Sequence, residues 1–283
     1  MQIVETVKLE WALIVPNTRG GDIYRKVIHT AQGGEGVSYD VRIELFSEGD
    51  RAYTALRHRH DFEQLRFAVS GSMDLGFTTL NEGEVGYFPA NAYYGPQKCA
   101  GAIILIAQWG DHFITKAASD RAVAELSETG KFSDGIYHGV DENGKPYSKD
   151  PLNAIWEQVF NRPYVPQPAR YRQPIVMSPD AFGWSEPEGQ VRRRRLGRFT
   201  ENDTEIEMIS WIDDGTFHSQ LVDDDRPTLM FTTAGTFSHD DAQFGALTGL
   251  WIEPGQSAKL DGQAGSTLLL VRFPGPTSRI TLE

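Results

Sequence analysis

The segment Gln64-Leu65-Arg66-Phe67-Ala68-Val69-Ser70-Gly71 returns 164 residues later as Thr228-Leu229-Met230-Phe231-Thr232-Thr233-Ala234-Gly235. Each copy is a short run of apolar and β-branched residues stopped by a glycine, the composition of a strand running into a tight turn. A second pair keeps the same offset: Gly101-Ala102-Ile103-Ile104-Leu105-Ile106-Ala107 against Gly265-Ser266-Thr267-Leu268-Leu269-Leu270-Val271. Pro89 meets Pro254 at an offset of 165, and Gly49 meets Gly215 at 166. Four registers in chain order that drift by only two residues indicate an internal duplication. The chain reads as two copies of one β-domain, each of roughly 100 residues, an ordinary domain size.

The rest of the 283 residues fits that reading. The 28 glycines and 15 prolines fall between short runs rich in Val, Ile, Leu, Phe and Thr. The runs expected as strands are Tyr39–Phe46, Tyr53–His60, Leu65–Ser70, Asp74–Thr79, Val85–Phe88 and Ile103–Gln108 in the first half. Ile206–Ile212, Thr228–Thr233, Leu250–Ile252 and Thr267–Phe273 are expected in the second. A hydrophobic fraction of 40% supports a full core. With 27 basic and 39 acidic side chains the net charge is −12, which argues against a polyanionic partner such as nucleic acid. The longest apolar run, Ala102–Ala107, is far short of the ~20 residues a bilayer crossing needs, so no membrane partner is expected. The N-terminus lacks the basic and apolar regions of a signal peptide, and the one cysteine, Cys99, excludes an intrachain disulfide. A reducing, cytoplasmic setting is expected, in which the sequon Asn202-Asp203-Thr204 is idle.

Between the copies the pattern changes. Lys116–Gly130 reads as a helix with a glycine stop, and Leu152–Asn161 as a second helix ended by Pro163. Arg162–Pro179, with five prolines, reads as an extended connector over the surface. The expected divisions are a barrel over 1–113 carrying the candidate site, a helical and proline-rich insert over 114–178, and a degenerate barrel over 179–283.

The sharpest chemical feature is Arg57-His58-Arg59-His60-Asp61-Phe62-Glu63-Gln64. On a strand, residues two apart face one side, so His58 and His60 would project inward together while Arg57 and Arg59 face away. Two imidazoles at that spacing can chelate a metal, with an oxygen from Gln64 or instead from Glu63.

These residues resemble the cupin superfamily, and the duplication resembles its two-domain bicupins. The first cupin motif, H-x-H-x3–4-E-x6-G, is matched by His58, His60, Gln64 and Gly71. The second, G-x5-P-x-G-x2-H-x3-N, is matched by Gly83 and Pro89, with Asn91, Tyr94 and Lys98 at its glycine, histidine and asparagine. The likeness covers roughly residues 39–108, with a degenerate echo over 206–273. It implies a mainly β fold of two tandem jelly-roll barrels and a divalent transition metal (Fe, Mn, Zn or Ni) held by His58, His60, Gln64 and Tyr94. An amide and a tyrosine in place of a carboxylate and an imidazole make a looser, less anionic donor set. In the second copy Thr228 takes the place of Gln64 and Lys259 that of Tyr94. Val222 and Asp224 fall at the histidine pair, so no metal is expected there.

Alternation places Arg66 on the face of Gln64, where a buried guanidinium needs a partner. It either pairs with Glu63 or Glu44 or anchors an anionic or carbonyl-bearing substrate. Tyr93, Tyr94 and Gln108 are expected to line the same pocket, with Tyr94, Arg66 and His60 as catalytic groups and Arg66, Tyr93 and Gln108 as substrate-binding ones. His112 reads as a loop residue and Cys99 as an apolar filler. The run Arg192-Arg193-Arg194-Arg195 reads as a solvated or interdomain salt-bridge face, and Asp223-Asp224-Asp225 as a polar turn. Phosphate-binding loops and nucleophile elbows are absent; Gly33-Gly34-Glu35-Gly36 lacks the strand-to-helix setting. The expected function is a cupin-type metal-dependent enzyme on a small organic substrate, dioxygenase-like or isomerase/lyase-like. The alternatives are a metal-free isomerase or cyclase and a non-catalytic ligand-binding bicupin. A homodimer is the assembly considered.

Overall fold

A computed structural model describes residues 1–283 except 16–17, 32–36, 111–113, 115, 220–225 and 276–283. Two sheets repeat one strand order. The first copy runs Val85–Phe88, Glu63–Ser70, Ile103–Gly110, Ser38–Phe46, Ile23–Ala31; the second runs Thr248–Ile252, Thr228–Ala234, Thr267–Arg272, Thr204–Trp211, Val191–Phe199. A smaller four-stranded sheet accompanies each: Tyr53–Ala55, Gln97–Cys99, Ser72–Asp74, Thr79–Asn81 in the first, and Gly215–His218, Lys259–Gly262, Phe237–His239, Ala242–Phe244 in the second. The repeat predicts the two copies, and their architecture is the tandem jelly roll that the resemblance implies; each barrel closes on its own apolar cluster.

The register of the duplication holds at atomic detail. Gln64 lies opposite Gln108 and Phe88, and Thr228 opposite Arg272 and Ile252, each pair of positions separated by 164. The closing glycines are explained together. Gly71 (φ +71°) and Gly235 (φ +92°) turn left-handed, and a Cβ on either would lie 3.1 Å from Ala102 Cα or 2.6 Å from Ser266 Cα. The Gly49–Gly215 register does not hold: Tyr53 pairs with Cys99 as Gly215 pairs with Gly262, so Gly215 is the counterpart of Tyr53. The small indel lies in the loop before that strand, where pattern carries no register.

Several elements differ from expectation. The run expected as one strand over Tyr53–His60 stops at Ala55, and His58 continues only as an isolated bridge to Tyr94. Asp74–Thr79 is the turn between two short strands. Ile23–Ala31, whose pattern is not strictly alternating, is a full strand. The insert carries helices α1 (Lys116–Thr129) and α2 (Pro151–Phe160), α2 capped by the Asp150 carboxylate on the Leu152 and Asn153 amides. It also contains a three-stranded sheet, Lys131–Ser133, Ile136–Val140 and Pro146–Lys149. No helix among the described residues is long and apolar enough to cross a membrane.

The chain divides into two compact units that are not consecutive in sequence. One holds 1–10, 26–41 and 177–283; the other holds 11–25 and 42–176. The N-terminal ten residues join the second barrel because Gln2–Glu5 adds an edge strand beside Thr248–Trp251. Ile28 packs where Gly249 has no side chain, and the Lys26 ammonium donates to the Thr6 carbonyl at 2.9 Å.

Gly235→Ala combines a left-handed alanine with a backbone clash, and is expected to destabilise the C-terminal barrel by about 2–4 kcal/mol in urea unfolding. Gly71→Ala, with its looser neighbour, is expected to lose less from the N-terminal barrel.

Candidate active site

In the second barrel the inward-facing charges are matched to one another. The buried Glu207 accepts from Arg193 at 3.4 Å, Arg195 at 3.2 Å and Arg272 at 3.4 Å, and Arg272 also reaches Glu205 at 3.1 Å. Of the run Arg192–Arg195, then, Arg193 and Arg195 both reach the buried Glu207, Arg195 from the solvent side with its side chain 67% exposed. The other two guanidiniums lie over the Trp184 ring at 4.6 and 4.3 Å, with Arg194 also on Asp180 at 2.9 Å. The run is thus a charge ladder within one unit, where a solvated or interdomain face is the expectation. Lys259 pairs with His218, in the counterpart of the Gln97 strand, and does not occupy the place of Tyr94. Val222, Asp224, Gln220 and the turn Asp223-Asp224-Asp225 lie outside the described residues, as do His112 and Gly33-Gly34-Glu35-Gly36.

The first barrel holds a comparable network at the corresponding place, with the sign reversed at its key position. The backbone bonds of Phe46 to Ala102 and Gly101 match those of Trp211 to Ser266 and Gly265, which makes Arg42 the counterpart of Glu207. Arg42 donates to Glu44 at 2.7 Å and to Gln108 at 3.0 Å, and Arg25 reaches the same Glu44 oxygen at 2.7 Å. Burial alone would raise the Glu44 carboxyl, but Arg42 and Arg25 outweigh it and bring it down to about 2.

Deeper in the same barrel the candidate residues meet. His58, Gln64, Arg66 and Tyr94 are all buried, and His60 is half-buried at the more open side. The His58 and His60 rings stand 5.0 Å apart, and Tyr94 lies 4.5 Å from His58 and 5.9 Å from His60. The bridge in which His58 and Tyr94 exchange backbone bonds of 3.0 Å sets this geometry, and not the strand alternation expected for the histidine pair. His58 Nδ1 lies 2.6 Å from the Leu56 carbonyl and donates to it, which leaves Nε2 as the unprotonated nitrogen of the neutral ring. Burial lowers His58 to about 3, aided by Arg19 and Arg66 and opposed by the Leu56 bond; burial, His58 and the same arginines hold His60 well below the ordinary range. Both rings are therefore neutral at pH 7. Burial pushes the Tyr94 phenol up to about 12 against the pull of Arg66, so it stays protonated.

Arg66 lies at the centre of this cluster and pairs with neither Glu63 nor Glu44. Glu63 accepts from the Tyr87 hydroxyl at 2.8 Å and the Ala90 amide at 3.1 Å, and Glu44 belongs to Arg42 and Arg25. The Arg66 guanidinium donates instead to Gln64 Oε1, to the Tyr94 hydroxyl at 3.3 Å and to Met73 Sδ at 3.0 Å, and lies 4.6 Å over the Phe88 ring. Among the described residues it has no carboxylate partner.

Tyr93 does not join the cluster. It is 38% exposed and is clasped on the outside between Arg57 and Arg59, at 4.6 and 4.4 Å, because its neighbour Tyr94 takes the inward position. Gln108 lies opposite Gln64 on the inner face and is half-buried, held by Arg42.

Three further residues surround the cluster, and of these only Arg19 has no signal in the sequence. Arg19, bonded to Asp150 at 3.0 Å, adds positive potential at both histidines; its own proton is held more tightly because Asp150 outweighs burial. The two are 131 residues apart in an irregular segment and a helix cap, so no spacing connects them. Asn91 takes the motif glycine's place with φ +63°, a conformation asparagine tolerates; its amide donates to the His60 carbonyl at 2.6 Å, and its buried Oδ1 has no partner. Cys99 is buried in the apolar cluster of the barrel, where burial raises its thiol to about 11.

The donor set for a metal can now be weighed. His58 and His60 are neutral and adjacent, as ligation requires. Gln64 and Tyr94 are both engaged by a permanent cation, and no three His, Cys, Asp or Glu side chains among the described residues converge for metal binding. The set of four does not fit a resident divalent ion.

No family model matches the chain, and no curated protein matches it. Solved structures do. A putative dioxygenase from Nostoc punctiforme aligns over 99% of this chain and 84% of its own with a TM-score of 0.62 and 13% identity. Streptomyces albus HEPD, solved with 2-hydroxyethylphosphonate and Fe(II), aligns over 99% and 76% with a TM-score of 0.54 and 13% identity. Oxalate decarboxylase from Bacillus subtilis aligns over 98% and 78% with a TM-score of 0.52 and 12% identity. With the duplicated sheets, these similarities establish the fold as that of a two-domain cupin.

Glu44→Gln leaves the buried Arg42 and the half-buried Arg25 guanidiniums without their anion and is expected to cost about 2–4 kcal/mol in urea unfolding. A carboxyl whose folded value lies below its unfolded one stabilises above about pH 4.5, and that contribution disappears as pH falls towards 2. The wild type is therefore expected to lose stability across that window, and Glu44→Gln to show a shallower acid limb.

Proposed function

We propose that this protein is a cupin-fold enzyme acting on a small organic anion bearing a carboxylate or carbonyl group. One observation carries the reading: the buried Arg66 guanidinium has no carboxylate partner and lies beside two neutral imidazoles. A buried cation without a counterion is costly, and an anionic substrate group would complete it. His60 and Gln108 are the half-buried members of this polar set, and a small ligand reaching Arg66 would pass beside them. The orphan Asn91 Oδ1 offers a further acceptor for a substrate hydroxyl.

The protonation states support acid–base chemistry, in which a group kept neutral takes a proton and one kept protonated returns it. His60 removes a proton from the carbon next to the substrate carbonyl. Arg66 holds the oxygen on which charge develops. Where that carbon also adjoins a carbon–carbon double bond, the charge extends to the far carbon of that bond; Tyr94 donates its proton there, the double bond shifts into conjugation with the carbonyl, and proton transfer from the His60 imidazolium restores the phenol. The net change is an isomerisation that consumes no oxidant. A divalent metal on His58 and His60 is the second reading, favoured by the Leu56 bond that frees His58 Nε2 and by the Fe(II) in the Streptomyces albus neighbour.

A thermal-shift screen against small carboxylates and keto acids is expected to yield compounds that raise the melting temperature. Arg66→Met, checked for folding by circular dichroism, is expected to weaken their binding by about tenfold to a hundredfold. Hits that bind Arg66→Met as tightly as wild type would overturn the role given to Arg66.

A further inference from the structure

We infer that Arg66 stands in for a metal ion, as a built-in cation that closes a latent metal site. The inference rests on the reading of the barrel as an anion site but concerns what occupies it. A divalent ion at the two imidazoles would need its third and fourth donors from Gln64 and Tyr94. The Gln64 oxygen already accepts from Arg66 Nε, and the Tyr94 oxygen from a terminal nitrogen of the same group. The guanidinium cannot release a proton, so it remains a positive charge beside the histidines, repelling any second cation.

Its position is overdetermined. Met73 Sδ at 3.0 Å, the Phe88 face at 4.6 Å and the Tyr94 ring at 5.3 Å hold the planar group from three further sides. In the second barrel the counterpart of Arg66 is Met230, buried among apolar residues, so the register itself does not require a cation here. A fixed guanidinium supplies what a bound metal would supply to a carbonyl or carboxylate oxygen, positive charge and directional contacts, without exchange with solvent. Arg66 is thus the electrophile of the site, and removing it exposes donors that lack only a carboxylate to bind metal.

The test is metal content. Wild type and the double variant Arg66→Met/Gln64→Glu are purified without chelating resin and dialysed against Mn(II), Fe(II), Ni(II) or Zn(II). Free metal is then removed and the bound metal measured by elemental analysis. Wild type is expected to hold far less than one ion per chain. The double variant is expected to approach one, with a ligand-field spectrum on Co(II) loading that His58→Ala removes. Near-stoichiometric metal in the wild type, lost in His58→Ala, would overturn the inference whatever the carboxylate screen shows. So would a folded double variant that stays metal-free. If the double variant does not fold, titration of wild type with Co(II) decides alone: no His58-dependent spectrum upholds the inference, and such a spectrum refutes it. A metal-free wild type that binds no carboxylate would sink the functional reading and leave this inference standing.

Discussion

A charge carried into the interior of a small β-barrel must meet its opposite there, and both copies of this fold are arranged around that requirement. The inward rows are only a few residues long, so each buried carboxylate recruits guanidiniums from its own strand or from neighbouring ones. Glu44 gathers Arg42 and Arg25; Glu207 gathers Arg193, Arg195 and Arg272. Removing one partner of such a set costs more than the set contributes, which ties the open end of each barrel to its charge balance.

The two barrels differ in how completely the requirement is met. In the second, Arg193 and Arg272 each have an acid within reach, and the interior below is apolar. In the first, Arg66 lies one layer deeper and is satisfied by an amide, a phenol, a thioether and an aromatic face. These contacts hold a guanidinium in place without neutralising it. The imidazoles beside it stay neutral for the same reason that it stays charged: burial and a field of arginines disfavour another positive charge.

Much of this was legible in the chain. The repeat showed two copies of one β-domain because short β-rich runs closed by a glycine recur at a nearly constant offset, and Gln64 and Thr228 do occupy equivalent positions. The helices were legible from their stop signals. The inward direction of Arg66 followed from alternation with Gln64. The failures occurred where the chain is irregular or where contacts are remote. The histidine pair is positioned by a bridge to Tyr94, Tyr93 turns outward, and Arg19 reaches a helix cap 131 residues away. The first ten residues serve the other copy's sheet, a pairing with no local signature.

What the sequence determined alone was therefore the duplication, the β character of each copy and the inward direction of Gln64 and Arg66, because these depend on periodicity and turn chemistry. Only the tertiary structure decided which of those residues touch. Arg66 could have met Glu63 or Glu44, but Glu63 is held by Tyr87 and Ala90, and Glu44 by Arg42 and Arg25. Partner choice among buried charges is settled by which groups the strands bring within hydrogen-bond reach, a three-dimensional condition that spacing along one chain does not contain.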